Sequence, residues 1–262
     1  MTVAYLSGPL PRVLAHRGLA LEVPENTLAA FAAALAMGAT YLETDVHLSR
    51  DGVAMISHDL SLMRVAGRDE LVSAHSATEL AAVDLGLGHG MPTLADALEQ
   101  FPTARFNIDL KTDDVVAPAV ATVRALDAVD RVLLTSFSEA RRRRAGQLLH
   151  GAGATSTGVG GVLRLKVASL LPRFVGASGA LAGAVAVQVP ERNGPLQVVT
   201  PRFIRAAHAA GAEVHVWTVN ERADMWRLLA LGVDGLVTDR ADLAVDVVEE
   251  WNRSRNKREG NA

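Results

Sequence analysis

The chain has 262 residues, and almost half of them are hydrophobic, which fits a folded globular protein with one large α/β core. The formal net charge of −3 argues against a nucleic-acid partner, and the absence of cysteine excludes disulfides, thiol catalysis and cysteine metal sites. The N-terminal sequence lacks a basic start followed by an apolar run, so we expect no signal peptide and a cytoplasmic protein.

The first predicted strand is a short apolar run, Val13-Leu14-Ala15, that ends at His16-Arg17-Gly18. A buried strand of this kind delivers a histidine and an arginine to its carboxyl end. A polar loop follows, in which Asn26 or Thr27 can cap the next helix. Apolar residues then recur at helical spacing as far as Gly38.

The second strand, Tyr41–Leu48, carries two acids on one face, because side chains alternate along a strand and Glu43 and Asp45 are two residues apart. An Asp-Gly turn and a second apolar run predict a hairpin that folds His58 back toward these carboxylates. Paired carboxylates attract hard cations such as Mg²⁺ or Ca²⁺, and a histidine moves protons near neutral pH. A surface hairpin with a solvated acidic face is the alternative reading of these residues alone.

Residues 60–92 show little periodicity and predict an insertion after the second strand, of about 50–92 with the hairpin included. Thr93 and Asp96 resemble a capping box that opens a helix. The next strand, Arg105–Lys111, places Asn107, Asp109 and Lys111 on one face, and such burial of polar groups is costly unless they are paired or used.

The rest of the chain alternates predicted strands and helices. The segment 162–175 is amphipathic, which favours a barrel helix or loop cover over a helix that contacts a membrane surface. The closing helix is predicted to end at Trp251, with a frayed polar tail at about 252–262. The predicted strands are Val132–Phe137, Ala154–Val159, Val185–Val189, Glu213–Val219 and Gly235–Asp239.

Eight strands, each followed by a helix or a stretch able to hold one, predict an α/β protein with a (β/α)8 TIM barrel as one domain over residues 1–262. Active sites of such barrels lie at the carboxyl ends of the strands. Polar residues segregate at these predicted ends, including His16-Arg17, Glu43, Asp109 and Trp217. The order of the elements therefore predicts one functional face of the barrel.

The sequence resembles the glycerophosphodiester phosphodiesterase family. The resemblance covers nearly the whole chain, and its motifs follow in the family's order. They are HRG at 16–18, PENT at 24–27, ETDVHLSRDG at 43–52, ISHD at 56–59, PTLADAL at 92–98, NIDLK at 107–111, SF at 136–137, VHVWTVN at 214–220 and VDGLVTDR at 233–240.

The resemblance implies a hydrolase that cuts a small glycerophosphodiester into glycerol 3-phosphate and an alcohol with the help of one divalent cation, Mg²⁺ or Ca²⁺, with Mn²⁺ as a third candidate. It implies roles for eight residues: Glu43, Asp45 and Asp109 hold the metal, His16 and His58 form the acid–base pair, Arg17 and Lys111 hold the phosphate, and Trp217 lines the pocket.

One position departs from the family pattern. The family usually has glutamate where this chain has Asp109, which is one methylene shorter, so the metal would sit deeper or be bridged by a water. Two other functions stay open at this point. One is a barrel phospholipase that acts on intact lipid, and the other is a barrel that binds glycerophosphodiesters without cutting them.

Overall fold

The computed structural model describes residues 3–259. In this range the strands are β1 Arg12–His16, β2 Tyr41–Leu48, β3 Ala54–Ile56, β4 Arg105–Leu110, β5 Val132–Thr135, β6 Ala154–Thr157, β7 Ala186–Pro190, β8 Arg192–Asn193, β9 Leu196–Gln197, β10 Glu213–Trp217 and β11 Gly235–Thr238. The α-helices are α1 Leu28–Ala36, α2 Met63–Ala66, α3 Ala77–Ala81, α4 Leu94–Gln100, α5 Val116–Ala125, α6 Glu139–Leu148, α7 Val159–Ala168, α8 Ala177–Leu181, α9 Pro201–Ala209, α10 Arg222–Leu231 and α11 Ala241–Glu259.

A closed ring of eight parallel strands forms the centre of the described chain, in the order β1-β11-β10-β7-β6-β5-β4-β2. The ring closes because β1 pairs with β2 as well as with β11. The main apolar core fills the space between this ring and the surrounding helices. The predicted (β/α)8 barrel is confirmed.

The hairpin predicted after the second barrel strand is also confirmed, since β3 runs antiparallel to β2 with Val46 opposite Ile56. The segment that follows holds more structure than its weak periodicity indicates. Helix α3 begins with a capping box in which Ser76 and Glu79 bond each other's backbone amides. A small second core lies beneath this segment, and its buried members are Met55, Leu62, Val72, Leu80, Val83 and Met91.

Several boundaries differ from the prediction. Strand β6 ends at Thr157 and not at Val159, because Gly158 is the N-cap of α7 and Val159 is its first residue. The short helix α8 and the small β8–β9 hairpin were not predicted, since neither carries a clear periodic pattern. Of the two candidate caps for α1, Thr27 is the one that bonds the backbone amide of Ala30.

The predicted tail is the largest of these differences. Helix α11 does not end at Trp251 but continues to Glu259, whereas residues 260–262 lie outside the described range. Polar composition alone does not end a helix, and no glycine or proline interrupts residues 252–259. An ion pair between Glu249 and Arg253, one helical turn apart, joins the two parts of the helix.

No helix in the described part of the chain is long and apolar enough to span a bilayer.

The closed end of the barrel contains a buried ion pair. Arg12 Nε lies 2.6 Å from Glu213 Oε2, and the Arg12 side chain is almost fully buried. Burial raises the pKa of Glu213, but the hydrogen bonds from Arg12 and His215 outweigh this effect and lower that pKa to about 2. The charged form of Glu213 is therefore part of the folded state.

Glu213→Gln should lower the free energy of unfolding at neutral pH by about 3 kcal/mol, because it leaves the Arg12 guanidinium buried without a counter-charge. The ordinary pKa of 4.5 falls to about 2 on folding. The pair therefore stabilises the fold fully above about pH 4.5, and this stabilisation is lost as the pH falls toward 2. Urea unfolding at pH 7 and pH 3 measures both effects.

The matched control is Glu249→Gln, which breaks the exposed pair with Arg253 and should cost less than about 1 kcal/mol. Equal losses for the two variants at pH 7, or a Glu213→Gln loss that does not shrink at pH 3, would contradict this account.

Candidate active site

The open end of the barrel holds a cavity of about 460 Å³. Its size lies in the range of small-molecule sites, about 300–1,000 Å³. All eight residues that the sequence analysis assigns to a site line this cavity: His16, Arg17, Glu43, Asp45, His58, Asp109, Lys111 and Trp217. The structure thus brings together residues that are up to about 200 positions apart in the chain.

Three carboxylates lie side by side on two neighbouring strands. Asp45 of β2 pairs in register with Asp109 of β4, and Glu43 lies one step earlier on the same face of β2. All three side chains are buried. Burial and the nearby charge of Asp45 raise the pKa of Glu43 to about 8, and burial raises the pKa of Asp109 despite the opposing effect of Lys111. The positive charges near these buried acids therefore do not fully offset the cost of burying them at this edge of the barrel.

Two cationic side chains enter the same cluster. Lys111 Nζ lies 2.7 Å from Asp45 Oδ1 and 2.7 Å from Asp109 Oδ2. Burial lowers the pKa of Lys111, but these two carboxylates raise it more, so the ammonium form is favoured. Arg17 approaches from the end of β1, with Nε 3.4 Å from Asp45 Oδ2 and its backbone amide 3.2 Å from Glu43 Oε2.

The donor set fits a hard divalent cation, because carboxylate oxygens are the ligands that Mg²⁺ and Ca²⁺ prefer. Asp109 Oδ1 is buried without a hydrogen-bond partner, and such an oxygen gains from a cation. In the described part of the chain, however, no three His, Asp or Glu side chains are already grouped as a metal site. The Lys111 ammonium contacts one oxygen of Asp45 and one oxygen of Asp109, each at 2.7 Å.

A short hydrogen-bond chain orients His16. Its Nδ1 lies 2.6 Å from Asp239 Oδ1, and Asp239 Oδ2 accepts a hydrogen bond of 2.8 Å from Asn220 Nδ2. An ionised carboxylate can only accept, so Nδ1 carries the proton and Nε2 points to the cluster, 3.9 Å from Glu43 Oε2. Burial lowers the pKa of His16, but the bond from Asp239 and the charge of Glu43 give a net increase.

The same hydrogen bonds decide the roles of Asn220 and Asp239. An asparagine at position 220 predicts a cap for the following helix, but the N-cap of α10 is Glu221, and the Asn220 side chain bonds Asp239 instead. By its position before α11, Asp239 is a candidate either to orient a site residue or to cap that helix. In the structure it contacts His16.

His58 is also held by a carboxylate. Its Nδ1 lies 2.7 Å from Asp59 Oδ1, which leaves Nε2 without a partner among the described residues. Asp59 in turn pairs with Arg64, and Glu25 bridges Arg64 and Arg17 at 2.7 Å and 3.0 Å. Charged groups of the insertion and of the first loop therefore connect His58 to Arg17.

A second series of hydrogen-bonded polar side chains runs from the cavity into the barrel interior. Gln188 Nε2 donates to Asn107 Oδ1 at 3.1 Å and lies 3.3 Å from His215 Nδ1. His215 Nε2 lies 3.1 Å from Glu213, the partner of Arg12. His215 therefore joins Gln188 to the buried ion pair, while His47 Nε2 lies 3.1 Å from the backbone oxygen of His58.

The far wall of the cavity is apolar. Trp217 packs edge-on against Phe137 with ring centroids 5.9 Å apart, and Lys111 Nζ lies 5.9 Å from the Phe137 ring. Further apolar lining comes from α7, from the end of β7, from the residue after β9 and from β11: Val159, Val162, Val189, Pro190, Val198 and Val237. The wall with the charged residues thus suits an anionic group together with a cation. The apolar wall suits carbon-rich groups.

Comparison with known proteins agrees with this geometry. The model of the glycerophosphoryl diester phosphodiesterase family matches residues 16–243. The chain belongs to this family. It is 40% identical over 255 residues to a probable glycerophosphodiester phosphodiesterase 2 of Mycobacterium tuberculosis, an alignment that covers 96% of this chain and 97% of that protein.

Solved structures share the fold. A putative glycerophosphoryl diester phosphodiesterase from Silicibacter pomeroyi superposes with a TM-score of 0.79 at 24% identity, covering 95% of this chain and 98% of that one. A phosphodiesterase from Oleispira antarctica, in complex with the product sn-glycerol-3-phosphate, has a TM-score of 0.76 at 24% identity, with coverage of 92% and 97%. The chain is thus a phosphodiesterase of the glycerophosphodiester family with the family's barrel.

Sequence reasoning missed some residues of this phosphodiesterase site. The sequence predicts only a loop and a helix cap for Glu25 and Asn26, but Glu25 accepts a hydrogen bond from Arg17 and Asn26 Nδ2 donates to Asp45 Oδ2 at 3.3 Å. Both lie in the PENT motif, which was a usable signal. Arg64 gave no signal, because it lies in a segment without periodicity and reaches the site only through tertiary folding.

Asp239→Asn in the phosphodiesterase should lower kcat about 10²-fold or more with little change in KM, because the amide holds His16 less firmly in the required tautomer and orientation. The measurement is steady-state hydrolysis of a soluble glycerophosphodiester. The matched control is Glu70→Gln, which removes the charge from an exposed pair with Arg68 and should leave kcat unchanged. An Asp239→Asn kcat within about twofold of wild type would show that Asp239 does not act through His16.

Proposed function

We propose that the chain hydrolyses small glycerophosphodiesters to glycerol 3-phosphate and an alcohol, with one divalent cation and an acid–base pair of histidines. One observation carries the proposal. The same cavity contains two histidines whose Nδ1 atoms are held by carboxylates, together with three buried acids and two cations. A phosphodiester needs this combination, since it is an anion whose cleavage requires charge stabilisation and two proton transfers.

Arg17 and Lys111 are proposed to bind the phosphate. A guanidinium can grip two non-bridging oxygens at once, whereas an ammonium acts as a point charge. Lys111 reaches the cavity from the end of β4 and Arg17 from the end of β1, so they approach a bound phosphate from different sides. The hydrogen bond that Arg17 donates to Glu25 fixes the direction of the guanidinium before the substrate arrives.

Glu43, Asp45 and Asp109 are proposed to hold the cation, and Mg²⁺ and Ca²⁺ suit their oxygens best. When bound, it would supply Lewis-acid stabilisation of the charge on the phosphoryl oxygens. Lys111 shares two of these carboxylates in the structure, so the ammonium must exchange contacts between the acids and the phosphate. The shorter side chain of Asp109 is proposed to affect which metal is preferred and not the reaction class.

The two histidines are proposed to move the protons. One takes a proton from the attacking hydroxyl or water, and the other gives a proton to the leaving alkoxide, each contributing roughly 10²–10⁴-fold in rate. In both, Nε2 is the exchanging atom because a carboxylate binds Nδ1. A transient cyclic glycerophosphate would indicate attack by the glycerol hydroxyl, and its absence would indicate attack by water.

The reaction products are proposed from the family and from the fold. The Oleispira antarctica structure contains sn-glycerol-3-phosphate, and its barrel superposes on this one. The polar wall would hold this part of the substrate, and the wall with Trp217 and Phe137 would receive the alcohol.

His16→Ala and His58→Ala test the proposal. Each should lower turnover by about 10²-fold or more, since each removes one proton transfer. The measurement is release of glycerol 3-phosphate from a panel of glycerophosphodiesters, with circular dichroism to confirm the fold. The control is His208→Ala, which removes an exposed histidine paired with Asp234 outside the cavity. Near-normal activity of either cavity variant would remove that histidine from the mechanism.

A further inference from the structure

Helix α7 turns an apolar stripe away from the protein. Val159, Leu163 and Val167 recur every four residues and are 59%, 62% and 54% exposed. At 1.5 Å per residue this stripe is about 12 Å long. The buried residues of the same helix, such as Leu165, already supply its contact with the barrel. A second apolar face that points outward is therefore not explained by packing within the chain.

The exposed surface continues beyond the helix. Leu170, Leu171 and Val175 follow α7 and are also exposed. At its other end the stripe reaches the cavity, because Val159 belongs to both and Val162 lines the apolar wall. These exposed apolar residues after β6 are called here the α7 face, and they form one surface that ends at the mouth of the cavity. Contiguous apolar surfaces of this kind mark sites of interaction.

The charge of this region is one-sided. Residues 140–190 contain no aspartate or glutamate, although the whole chain has a net charge of −3. Arg164, within α7, and Arg173, after it, are exposed and form no ion pair within the described residues. Lys166 differs, since its ammonium bonds the backbone oxygens of Gln197 and Val198. The α7 face thus combines apolar side chains with two free arginines.

We propose that the α7 face docks on the surface of an anionic lipid bilayer. An amphipathic helix binds there by burying its apolar side chains at the headgroup boundary while its basic residues contact anionic headgroups. A second copy of the chain suits this surface less well. In a two-fold dimer the same patch meets itself, which would bring the unpaired Arg164 and Arg173 of both copies together without an acid nearby.

The orientation has a consequence for access. Because the α7 face ends at the mouth of the cavity, docking places the catalytic face of the barrel toward the bilayer. Glycerophosphodiesters with an apolar alcohol would then enter from the lipid surface along the apolar wall. The docking itself does not depend on the proposed hydrolysis, so vesicle binding and turnover can be tested separately.

Co-sedimentation with vesicles tests the proposal on the full chain. We expect binding to mixed phosphatidylglycerol–phosphatidylcholine vesicles and much weaker binding to phosphatidylcholine alone. Arg164→Gln with Arg173→Gln should weaken the binding about 30-fold, and Leu163→Glu with Val167→Glu should abolish it. Turnover of a soluble glycerophosphodiester should stay unchanged in both double variants, since none of the four residues lines the cavity.

The matched controls make the same changes elsewhere. Met37→Glu alters an exposed apolar residue after α1, and Arg253→Gln alters an exposed arginine on α11, and both should bind vesicles like wild type. Absence of binding to anionic vesicles, or binding that survives Leu163→Glu with Val167→Glu, would overturn the proposal. A lipid-independent dimer in size-exclusion chromatography that this double variant abolishes would assign the α7 face to a second copy instead.

Discussion

The buried negative charge at the carboxyl edge of β2 and β4 is the constraint on which the site depends. Glu43, Asp45 and Asp109 are close together because parallel strands in register place them there. Burial, and after it the like charge of Asp45, raise the pKa of Glu43 to about 8, which expresses the cost of placing these acids together. Lys111 offsets part of the repulsion. The acids still need more positive charge. We propose that a divalent cation supplies it, together with Arg17 and Lys111 as they are placed when the phosphate is bound.

The pKa values of buried acids shift in opposite directions at the two ends of the barrel. At the closed end, Glu213 has a dedicated guanidinium at 2.6 Å, its pKa falls to about 2, and its charge stabilises the fold. At the open end, burial and the charge of Asp45 raise the pKa of Glu43, and the nearby cations do not offset them. The acid at the closed end thus stabilises the fold, while the acids at the open end line the cavity. Hydrogen bonds through His215 and Gln188 run between the two regions. Perturbed acids in a cavity are typical of functional sites.

Much of this was predictable from the sequence, for reasons that specific residues make clear. The alternation of strands and helices, with polar residues at the strand ends, predicted the barrel, and the motifs predicted all eight cavity residues that carry the proposed chemistry. Contacts between distant segments were not predictable. The hydrogen bonds that His16 donates to Asp239 and that Arg64 donates to Glu25 depend on tertiary geometry, because neither pair is close in the chain. The outward face of α7 was also not predictable, since the amphipathic pattern of this helix does not reveal which side packs on the barrel.

The measurement that tests the central claim most directly is metal add-back. Protein stripped of metal by a chelator would be assayed for release of glycerol 3-phosphate, with Mg²⁺, Ca²⁺ and Mn²⁺ returned separately and with Asp109→Ala as the comparison. The account predicts no turnover without metal, recovery with at least one of the three ions, and a higher metal concentration for half-recovery in Asp109→Ala, because that variant loses one of the proposed oxygen ligands. Full turnover by the stripped protein, or the same metal dependence in Asp109→Ala as in wild type, would contradict it.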